Sequence, residues 1–364
     1  MIIAFGTYDK ERHPRVGILI DGLRAHGHEV IELNRPLGLS TAERVRMLKQ
    51  PWRLPVLGIR LLSRWCALAA DALRIARSGQ HADAVLVGYM GHFDVFLARV
   101  LFRRSKIVLD HLIFAGDTAV DRGSGGMKAR LLDALDRRAI GAADIVAVDT
   151  DEHLAMLPEP SKGVMVPVGA RAEWFDAPAA TASERGVSAV FFGLYTPLQG
   201  AAVIAAGIAA ALDRGAPLRA TMIGTGQDWE RARTALGEHE AVEWLEWVPA
   251  QDLPGVVASH DISFGVFGTS GKAMRVVPNK VYESAASGCA IITSDTAPQR
   301  SALGDAALLL PAGDHEAIAD ALVELCANPD QLGALRAAAR ARAEAFRAER
   351  VVEPLLPLLR GAGS

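Results

Sequence analysis

The chain has 364 residues, of which 50% are hydrophobic and 22% are charged, and its formal net charge is −3. This composition excludes a disordered chain, and the small net charge gives no general affinity for nucleic acid. A single core rarely grows beyond about 250–300 residues, so the length predicts two domains.

The sequence predicts a cytoplasmic protein. Its first residues, "MIIAFGTYDK", have too short an apolar run for a signal peptide and lack a basic start. No stretch reaches the roughly 18 uninterrupted apolar residues of a membrane span. The three cysteines (Cys66, Cys289 and Cys326) have no metal-binding or redox spacing, which fits a reducing compartment.

Strands and helices alternate along the first half of the chain. The apolar run "MIIAFG" predicts a strand, "RVGILIDGLRAHG" a helix that ends at glycine, and "HEVIEL" the next strand. Further strands are predicted at "DAVLVGY", "KIVLD", "DIVAVD" and "GVMVPV", with helical segments such as "MKARLLDALDRRAIG" between them. This alternation is typical of a parallel sheet.

The segment 48–79 is apolar with interspersed arginines. Arg53, Arg60 and Arg64 would share one helix face, and tryptophans and leucines lie nearby. This composition is typical of a helix on the surface of an anionic membrane. A helix that packs only on the core is the alternative.

A second series of strands and helices begins near residue 188. Strands are predicted at "SAVFFG", "LRATMIG", "VEWLEWV", "ISFGVF" and "AIITSD", with "GAAVIAAGIAAALDRG" as a helix. We therefore predict an α/β fold of two Rossmann-like doubly wound domains that face each other across a cleft. The predicted units are 1–168, 169–345 and a helical tail, 346–364, that packs back on the N-terminal domain.

Positive charge is concentrated after the strand "ISFGVF". Lys272 and Arg275 lie in the segment 269–277, which we name the cation loop, and Lys280 lies in the helix that follows it. Pro278 fits the first turn of that helix, whose N-terminus offers unpaired N–H groups and a positive dipole end. This arrangement predicts a phosphate site, and Glu283 is placed to accept hydrogen bonds from a ribose. A solvated basic loop is the alternative.

The segment "GVFGTSGKAMRVVPNKVYESAASGCAIITSD" resembles the donor-binding segment of retaining GT-B glycosyltransferases of family 4. "FFGLYTPLQG" and "MIGTGQD" are similar to the first two strand-to-loop segments of that family's C-terminal domain. "DHLIFAGDTAVDRGS" and "DIVAVDTDEH" are similar to the acceptor domain of a bacterial subgroup. The likeness is strongest between residues 189 and 310.

The resemblance implies a set of donor-binding residues. The family's glutamate in the P-N-K-V-x-E run, here Glu283, binds the ribose of a sugar nucleotide. The remaining residues expected to bind the donor are Lys272, Arg275, Pro278, Asn279, Lys280, Gly193 and Gly224.

Two positions depart from the family's pattern. The first of its paired glutamates is replaced by Arg275. The lysine of the family's P-x-K-G turn, which precedes the glycine, is replaced by Gln199. We infer that Lys272 and Arg275 have taken over the phosphate contacts.

Positions just after predicted strands also place residues of the N-terminal domain at the cleft. Asp110, His111 and Asp117 follow the strand "KIVL" and are expected to orient the acceptor and shield positive charge on the sugar. A capping role for Asp110 and His111 is the alternative. The residues expected to contact the acceptor or the diphosphate are Tyr8, His13, Arg15 and His92.

These features predict an enzyme that moves a hexose, with retention, from a nucleoside-diphosphate sugar to a surface-glycan or lipid-linked acceptor. We expect no cofactor and no metal, because the cations would do the metal's electrostatic work and no Asp-x-Asp lies in the donor region. An epimerase of the same fold would turn over without an acceptor. An inactive relative would bind nucleotide and never release diphosphate. A dehydrogenase is disfavoured because no G-x-G-x-x-G follows a strand.

Overall fold

The computed structural model describes residues 1–10, 13–38, 54–121, 123, 125–178 and 186–359. They form two parallel sheets of six strands, each covered by helices on both faces. The predicted α/β class with two Rossmann-like domains is confirmed.

The N-terminal domain contains the first sheet. Its strands are β1 (Ile2–Gly6), β2 (Val30–Asn34), β3 (Ala84–Val87), β4 (Lys106–Asp110), β5 (Ile145–Val148) and β6 (Gly163–Met165). Its helices are α1 (Arg15–Ala25), α2 (Leu54–Arg77), α3 (Asp94–Leu101), α4 (Ala115–Asp121), α5 (Met127–Ala142) and α6 (Asp151–Ala155). The strand order is β2-β1-β3-β4-β5-β6, so the order reverses between β1 and β3.

The C-terminal domain contains the second sheet. Its strands are β7 (Val187–Phe192), β8 (Leu218–Ile223), β9 (Val242–Leu245), β10 (Ile262–Phe264), β11 (Ala290–Ser294) and β12 (Ala307–Leu310). The helices from the linker onward are α7 (Ala172–Asp176), α8 (Ala201–Asp213), α9 (Trp229–Leu236), α10 (Leu253–Ala258), α11 (Asn279–Ala286), α12 (Ala297–Leu303), α13 (His315–Ala327), α14 (Pro329–Ala343), α15 (Ala348–Val351) and α16 (Leu356–Leu359). The order β12-β11-β10-β7-β8-β9 reverses between β7 and β10.

Every strand predicted from the sequence is present, and β12 is an additional edge strand of four residues. Alternate side chains of each buried strand pack on opposite faces of the sheet. In β7, Phe191 packs with the helices on one face and Phe192 with those on the other. A parallel sheet that is covered by helices on both faces requires strands that are apolar at nearly every position, as "AVLV" and "AIITS" are.

The C-terminal tail returns to the N-terminal domain. Val351 at the end of α15 is buried in the core cluster that includes Leu19 of α1, as are Val352, Leu355 and Leu359 beyond it. The chain therefore crosses between the domains twice, once after β6 and once after α14. Two crossings restrict the relative motion of the domains more than a single linker does.

Gly22 of α1 allows the close approach of this tail. A Cβ at Gly22 would lie 2.1 Å from the carbonyl oxygen of Ala348 and 2.8 Å from a methyl carbon of Val352.

We expect Gly22→Ala to destabilise the protein by about 1–3 kcal/mol, as overpacking of a core does. Gly17→Ala, on the same helix with no atom within 4 Å of the new Cβ, should be neutral or mildly stabilising. Urea unfolding midpoints compare the two, and equal midpoints would contradict close packing of the tail.

Candidate functional site

The candidate site lies beyond the carboxyl ends of β7 and β10, where the strand order of the second sheet reverses. Gly193 and Gly224 form its floor. A Cβ at Gly224 would lie 2.0 Å from the carbonyl oxygen of Gly193, and both glycines have positive φ. Only glycine permits these two turns to pack backbone against backbone. The structure thus brings together the two predicted glycines.

The cation loop follows β10 and extends across the cleft to α4 of the N-terminal domain. Lys272 Nζ donates to Thr118 Oγ1 at 2.8 Å. Ser270 Oγ donates to the carboxylate of Asp121. Both partners lie on α4, so the loop and this helix form a polar contact between the domains.

Arg275 is the centre of this contact. Its Nη2 donates to the carboxylate of Asp117, also on α4, and the two side chains are 30% and 18% exposed. Its carbonyl oxygen accepts a bond of 2.8 Å from Thr150 Oγ1, which follows β5. Arg275 is therefore at the predicted place, but its charge is paired with the carboxylate of Asp117. Both residues were expected at the site from the sequence, but not as partners of each other.

Lys280 lies in the first turn of α11 and points at the glycine floor. Its side chain is buried, at 5% relative exposure, and Nζ lies 3.7 Å from the ring centroid of Phe191 and 3.4 Å from the position of a Cβ on Gly193. Nζ has no hydrogen-bond partner among the described residues. Burial lowers the pKa of Lys280 well below its usual value, and the carboxylate of Glu283 opposes that shift. A buried Nζ without a hydrogen-bond partner indicates a site for a ligand that supplies acceptor oxygens.

Glu283 lies one turn further along α11. Burial raises its pKa to about 7, the charge of Lys280 opposes this rise, and Glu173 adds to it. The helix begins at Asn279, so Pro278 occupies the position just before the first turn and not within it. Pro278 and Asn279 are both partly exposed at this end of α11.

Asp110 and Arg15 bind each other inside the N-terminal domain. Arg15 Nε donates to Asp110 Oδ1 at 2.6 Å, and Nη1 donates to the carbonyl oxygens of Val166 and Pro167. Arg15 is 1% exposed. Burial raises the pKa of Asp110, and the charge of Arg15 opposes that rise. The two side chains thus bind each other, and Arg15 also holds the linker after β6. Their expected contact with substrate stays a prediction.

The other expected acceptor residues are mostly turned inward. Tyr8 is buried in the core beside β1, and burial raises the pKa of its hydroxyl. His92 is buried, and its Nε2 lies 2.8 Å from Asp136 Oδ1. His13 is partly exposed and stacks on Tyr89, with ring centroids 3.9 Å apart. Of the four, His13 is partly exposed, whereas Tyr8, Arg15 and His92 are buried. Their expected contacts with the acceptor or the diphosphate stay predictions.

His111 lies at the carboxyl end of β4, buried beside His92 and Asp136. These three residues form the one group in the described part of the chain with the spacing of metal ligands, since one ligand atom from each lies within 4.8 Å of the others. The sequence analysis did not predict this group. His92 and His111 follow neighbouring strands, but Asp136 lies within an ordinary helical pattern that carries no functional signal.

Thr118, Asp121, Thr150 and Ser270 are further residues that the sequence analysis did not assign to the site. Thr150 follows the strand β5, and this position at the carboxyl end of a parallel strand could have identified it as a site residue. The partners on α4 could not be predicted from the sequence, because they contact residues of the other domain.

Helix α2 has two apolar faces. One packs on the N-terminal sheet through Leu68 and Ala72. The other faces outward, with Ile59 69% exposed and Leu62 60% exposed. Residues 48–53 of the segment considered above, including Arg53, lie outside the described residues. No helix of the described ranges combines the length and apolar character needed to cross a membrane.

Residues 187–328 match the family model described as "Glycosyl transferases group 1". This range includes the glycine floor, the cation loop and α11. The chain therefore contains a glycosyltransferase domain, and its enzyme class is glycosyltransferase. No curated protein sequence matches the chain.

Solved structures with both domains are similar over nearly the whole chain. Sucrose-phosphate synthase from Thermosynechococcus elongatus is 14% identical with a TM-score of 0.71, covering 98% of this chain and 97% of that one. HepE from Anabaena, in complex with UDP and glucose, is 13% identical with a TM-score of 0.66 and 98% coverage of both chains. A glycosyltransferase from Rickettsia africae is 12% identical with a TM-score of 0.65, covering 98% and 97%. This likeness establishes the GT-B fold.

The buried Arg15–Asp110 pair predicts a large loss of stability when one partner is removed. Asp110→Asn leaves the guanidinium buried without an anion, and we expect a loss of about 3–5 kcal/mol in the free energy of unfolding. Asp21→Asn, which removes the exposed partner of Arg24 on α1, should change it by less than about 0.5 kcal/mol. Urea unfolding of both variants tests this. A stable Asp110→Asn protein that has lost only turnover would restore the original catalytic expectation.

Proposed function

We propose that this chain transfers a hexose from a nucleoside-diphosphate sugar to a glycan or lipid-linked acceptor, with retention and without a metal, as the resemblance to family 4 implies. The observation that carries the proposal is the buried Nζ of Lys280, which has no hydrogen-bond partner in the described chain and lies next to the glycine floor. A phosphate group bound there would supply the missing acceptor oxygens. Glu283, one turn away, would accept hydrogen bonds from the ribose.

The diphosphate would extend from Lys280 toward Arg275 and Lys272. A planar guanidinium can bind two phosphate oxygens at once, which makes Arg275 suited to the group that leaves. In this structure the Asp117 carboxylate binds that guanidinium. Phosphate and carboxylate would therefore compete for Arg275, and donor binding would separate the cation loop from α4.

Charge development explains why cations suit this position. As the sugar departs, negative charge grows on the phosphate oxygens, so cations there stabilise the transition state more than the bound donor. With retention, the acceptor hydroxyl attacks on the face from which the diphosphate leaves. The departing phosphate oxygen takes the hydroxyl proton, and no protein nucleophile is needed. Asp117, once released from Arg275, would lie beside the sugar and could stabilise its positive charge.

The nucleotide we propose first is uridine diphosphate. Two of the similar structures, both of HepE, are described with UDP and glucose and with UDP-glucose. Screening UDP-, GDP- and dTDP-sugars for thermal stabilisation tests this directly, because a ligand at 100 times its Kd stabilises the folded state by about 2.7 kcal/mol.

Loss of Arg275 or Lys272 should lower turnover more than donor affinity. We expect Arg275→Ala and Lys272→Ala each to reduce kcat by about 10²–10³-fold, as loss of one transition-state contact does. Arg275→Lys should rescue poorly because it lacks the planar fork. Steady-state release of nucleoside diphosphate from the identified donor measures this.

Two variants make that experiment sharper. Arg214→Ala removes an exposed cation at the end of α8, on the opposite edge of the sheet, and should leave turnover unchanged. Asp117→Asn should raise the affinity for the nucleoside diphosphate, since it removes the competing carboxylate. Near-normal turnover of both alanine variants would mean that the cation loop is only a solvated basic loop.

The affinity for nucleoside diphosphate should rise with pH through about 7. Glu283 loses its proton near that pH, and ribose hydroxyls donate to the ionised carboxylate, so binding favours the ionised form. Below pH 7 the affinity should fall by up to about tenfold per pH unit. Calorimetry from pH 5.5 to 8.5 measures this.

Glu283→Gln is the control for that pH dependence. It keeps Lys280 and the titration of the nucleotide itself, so the difference between the two proteins isolates Glu283. We expect the variant to bind about 1.5–3 kcal/mol more weakly above pH 7. Identical pH curves for both proteins would exclude Glu283 as the ribose ligand.

The outward apolar face of α2 supports peripheral contact with the inner face of the cell membrane. Val56, Ile59 and Leu62 are exposed, and Arg60 and Arg64 lie beside them on the helix. Packing on the core through Leu68 and Ala72 does not account for the second, exposed apolar face. An acceptor linked to a lipid would then lie close to the N-terminal domain.

Anionic vesicles should co-sediment the protein more than neutral vesicles do. Binding should weaken at 1 M salt, where the Debye length is about 3 Å. The double variant Ile59→Ser, Leu62→Ser should lose binding, whereas Trp247→Ser, which removes an exposed aromatic residue from the C-terminal domain, should retain it. Equal sedimentation of the wild type with both kinds of vesicle, or none, would refute membrane association.

A further inference from the structure

The two faces of the N-terminal sheet have different coverings. Helix α1 and the returning tail pack on one face. Helices α2, α3 and α5 pack side by side on the other, through residues such as Leu68, Ala98 and Ile140. A helix that joins two parallel strands runs back along the sheet, so it begins at the carboxyl edge, which here faces the cleft. We name residues 54–65, 93–96 and 127–132 the cleft end of this helical layer.

Helix α2 extends past the carboxyl edge of the sheet. Trp65 Nε1 donates to Asp94 Oδ1 at 2.8 Å, and Asp94 Oδ2 accepts the backbone N–H of Thr7 at 2.7 Å. Thr7 directly follows β1 and Asp94 begins α3, so Trp65 lies level with that edge. Residues 54–64 come before Trp65 in the helix. They therefore project beyond the sheet by up to about 16 Å, at 1.5 Å per helical residue.

The projecting half of α2 is apolar on several sides. Its sequence is "LPVLGIRLLSR". Val56, Ile59 and Leu62 are exposed, and Leu57 and Leu61 are only partly covered. A helix that is apolar around most of its circumference is typical of an environment without water. Packing on the sheet does not supply that environment, because this half lies beyond it.

Further exposed apolar side chains lie at the same end of the layer. Met127 and Leu131, in the first two turns of α5, are 79% and 68% exposed, and Phe93, which precedes α3, is exposed as well. Val120 on the neighbouring helix α4 adds to this group. Within the described ranges, α1 and the tail on the opposite face expose one large apolar side chain, Leu358. The apolar surface of this domain is therefore concentrated beside the cleft.

The charges at the cleft end are all positive in the two segments that carry most of this surface. Residues 54–64 and 125–132 contain Arg60, Arg64, Lys128 and Arg130 and no acid, although the chain as a whole has a net charge of −3. All four cations are exposed. Apolar side chains with cations among them suit the interface of an anionic bilayer. A second copy would place like charges against each other, and a nucleic acid would leave the apolar side chains in water.

We propose that the cleft end of the helical layer inserts into the surface of an anionic bilayer, with residues 54–64 and 127–131 entering together. This extends the membrane contact of α2 to a defined orientation, in which the mouth of the cleft lies at the bilayer surface. The consequence for the acceptor rests on the proposed function: a lipid-linked acceptor would reach the cleft while its lipid chains stay in the bilayer.

Hydrogen–deuterium exchange of the wild-type protein tests the orientation without any variant. Vesicles of phosphatidylcholine and phosphatidylglycerol should slow amide exchange in residues 54–64 and 127–132. Exchange in residues 70–77 and 97–104, at the other end of the same helices, should be unchanged. Slowing spread evenly over both ends, or no slowing at all, would overturn the proposal.

Two pairs of substitutions test the same point by affinity. Met127→Ser with Leu131→Ser should weaken binding to these vesicles by about tenfold or more, because two large apolar side chains no longer leave water. Leu73→Ser with Val100→Ser is the matched control, since both side chains are exposed at the far end of the layer, and it should bind as the wild type does. Unchanged binding of the first pair would mean that α2 binds alone. Equal losses in both pairs would mean that the layer lies flat. Either result contradicts the proposal.

Two further measurements separate this proposal from the proposed function and from self-association. Thermal stabilisation by sugar nucleotides should be the same in all these variants, and a failed donor screen refutes the proposed function while the vesicle results still decide the orientation. Light scattering of the protein without vesicles should give the mass of one chain at the cleft-end variant and at the wild type alike. A wild-type dimer that Met127→Ser with Leu131→Ser dissociates would overturn the proposal, because a second copy would then cover this surface.

Discussion

The contact between the cation loop and helix α4 is the constraint on which the rest of the site depends. Arg275, from the C-terminal domain, is bound through its guanidinium by Asp117 and through its carbonyl by Thr150. Both partners belong to the N-terminal domain. The guanidinium that we propose for the leaving diphosphate is thus held by a carboxylate of the facing domain. A change of its partner would therefore alter the contact between the two domains.

The fold explains why these groups meet. Parallel strands direct their carboxyl ends to one edge of each sheet, and the reversal of strand order between β7 and β10 separates the loops there. Gly193 and Gly224 let two of those loops pack backbone against backbone. Arg15 holds the linker after β6, and the returning tail packs on α1. Both connections between the domains are therefore anchored on the N-terminal domain.

Much of this could be predicted from the sequence, because periodicity and strand-to-loop order are local properties. The alternation of strands and helices predicted both sheets, and the run from Lys272 to Glu283 marked the donor side. Side-chain direction and partners across the cleft are not local. Tyr8 and Arg15 both follow the first predicted strand, but Arg15 binds Asp110 and Tyr8 packs in the core. Asp136 sits in a helix whose pattern is that of any surface helix, so its link to His111 required the structure.

The central claim is that a nucleoside diphosphate binds between the cation loop and the start of α11. A crystal structure of the protein with UDP tests it most directly. We expect phosphate oxygens within hydrogen-bond distance of Arg275 and Lys280, ribose hydroxyls on the carboxylate of Glu283, and Asp117 separated from Arg275. UDP bound elsewhere, with the Arg275–Asp117 pair intact, would contradict it.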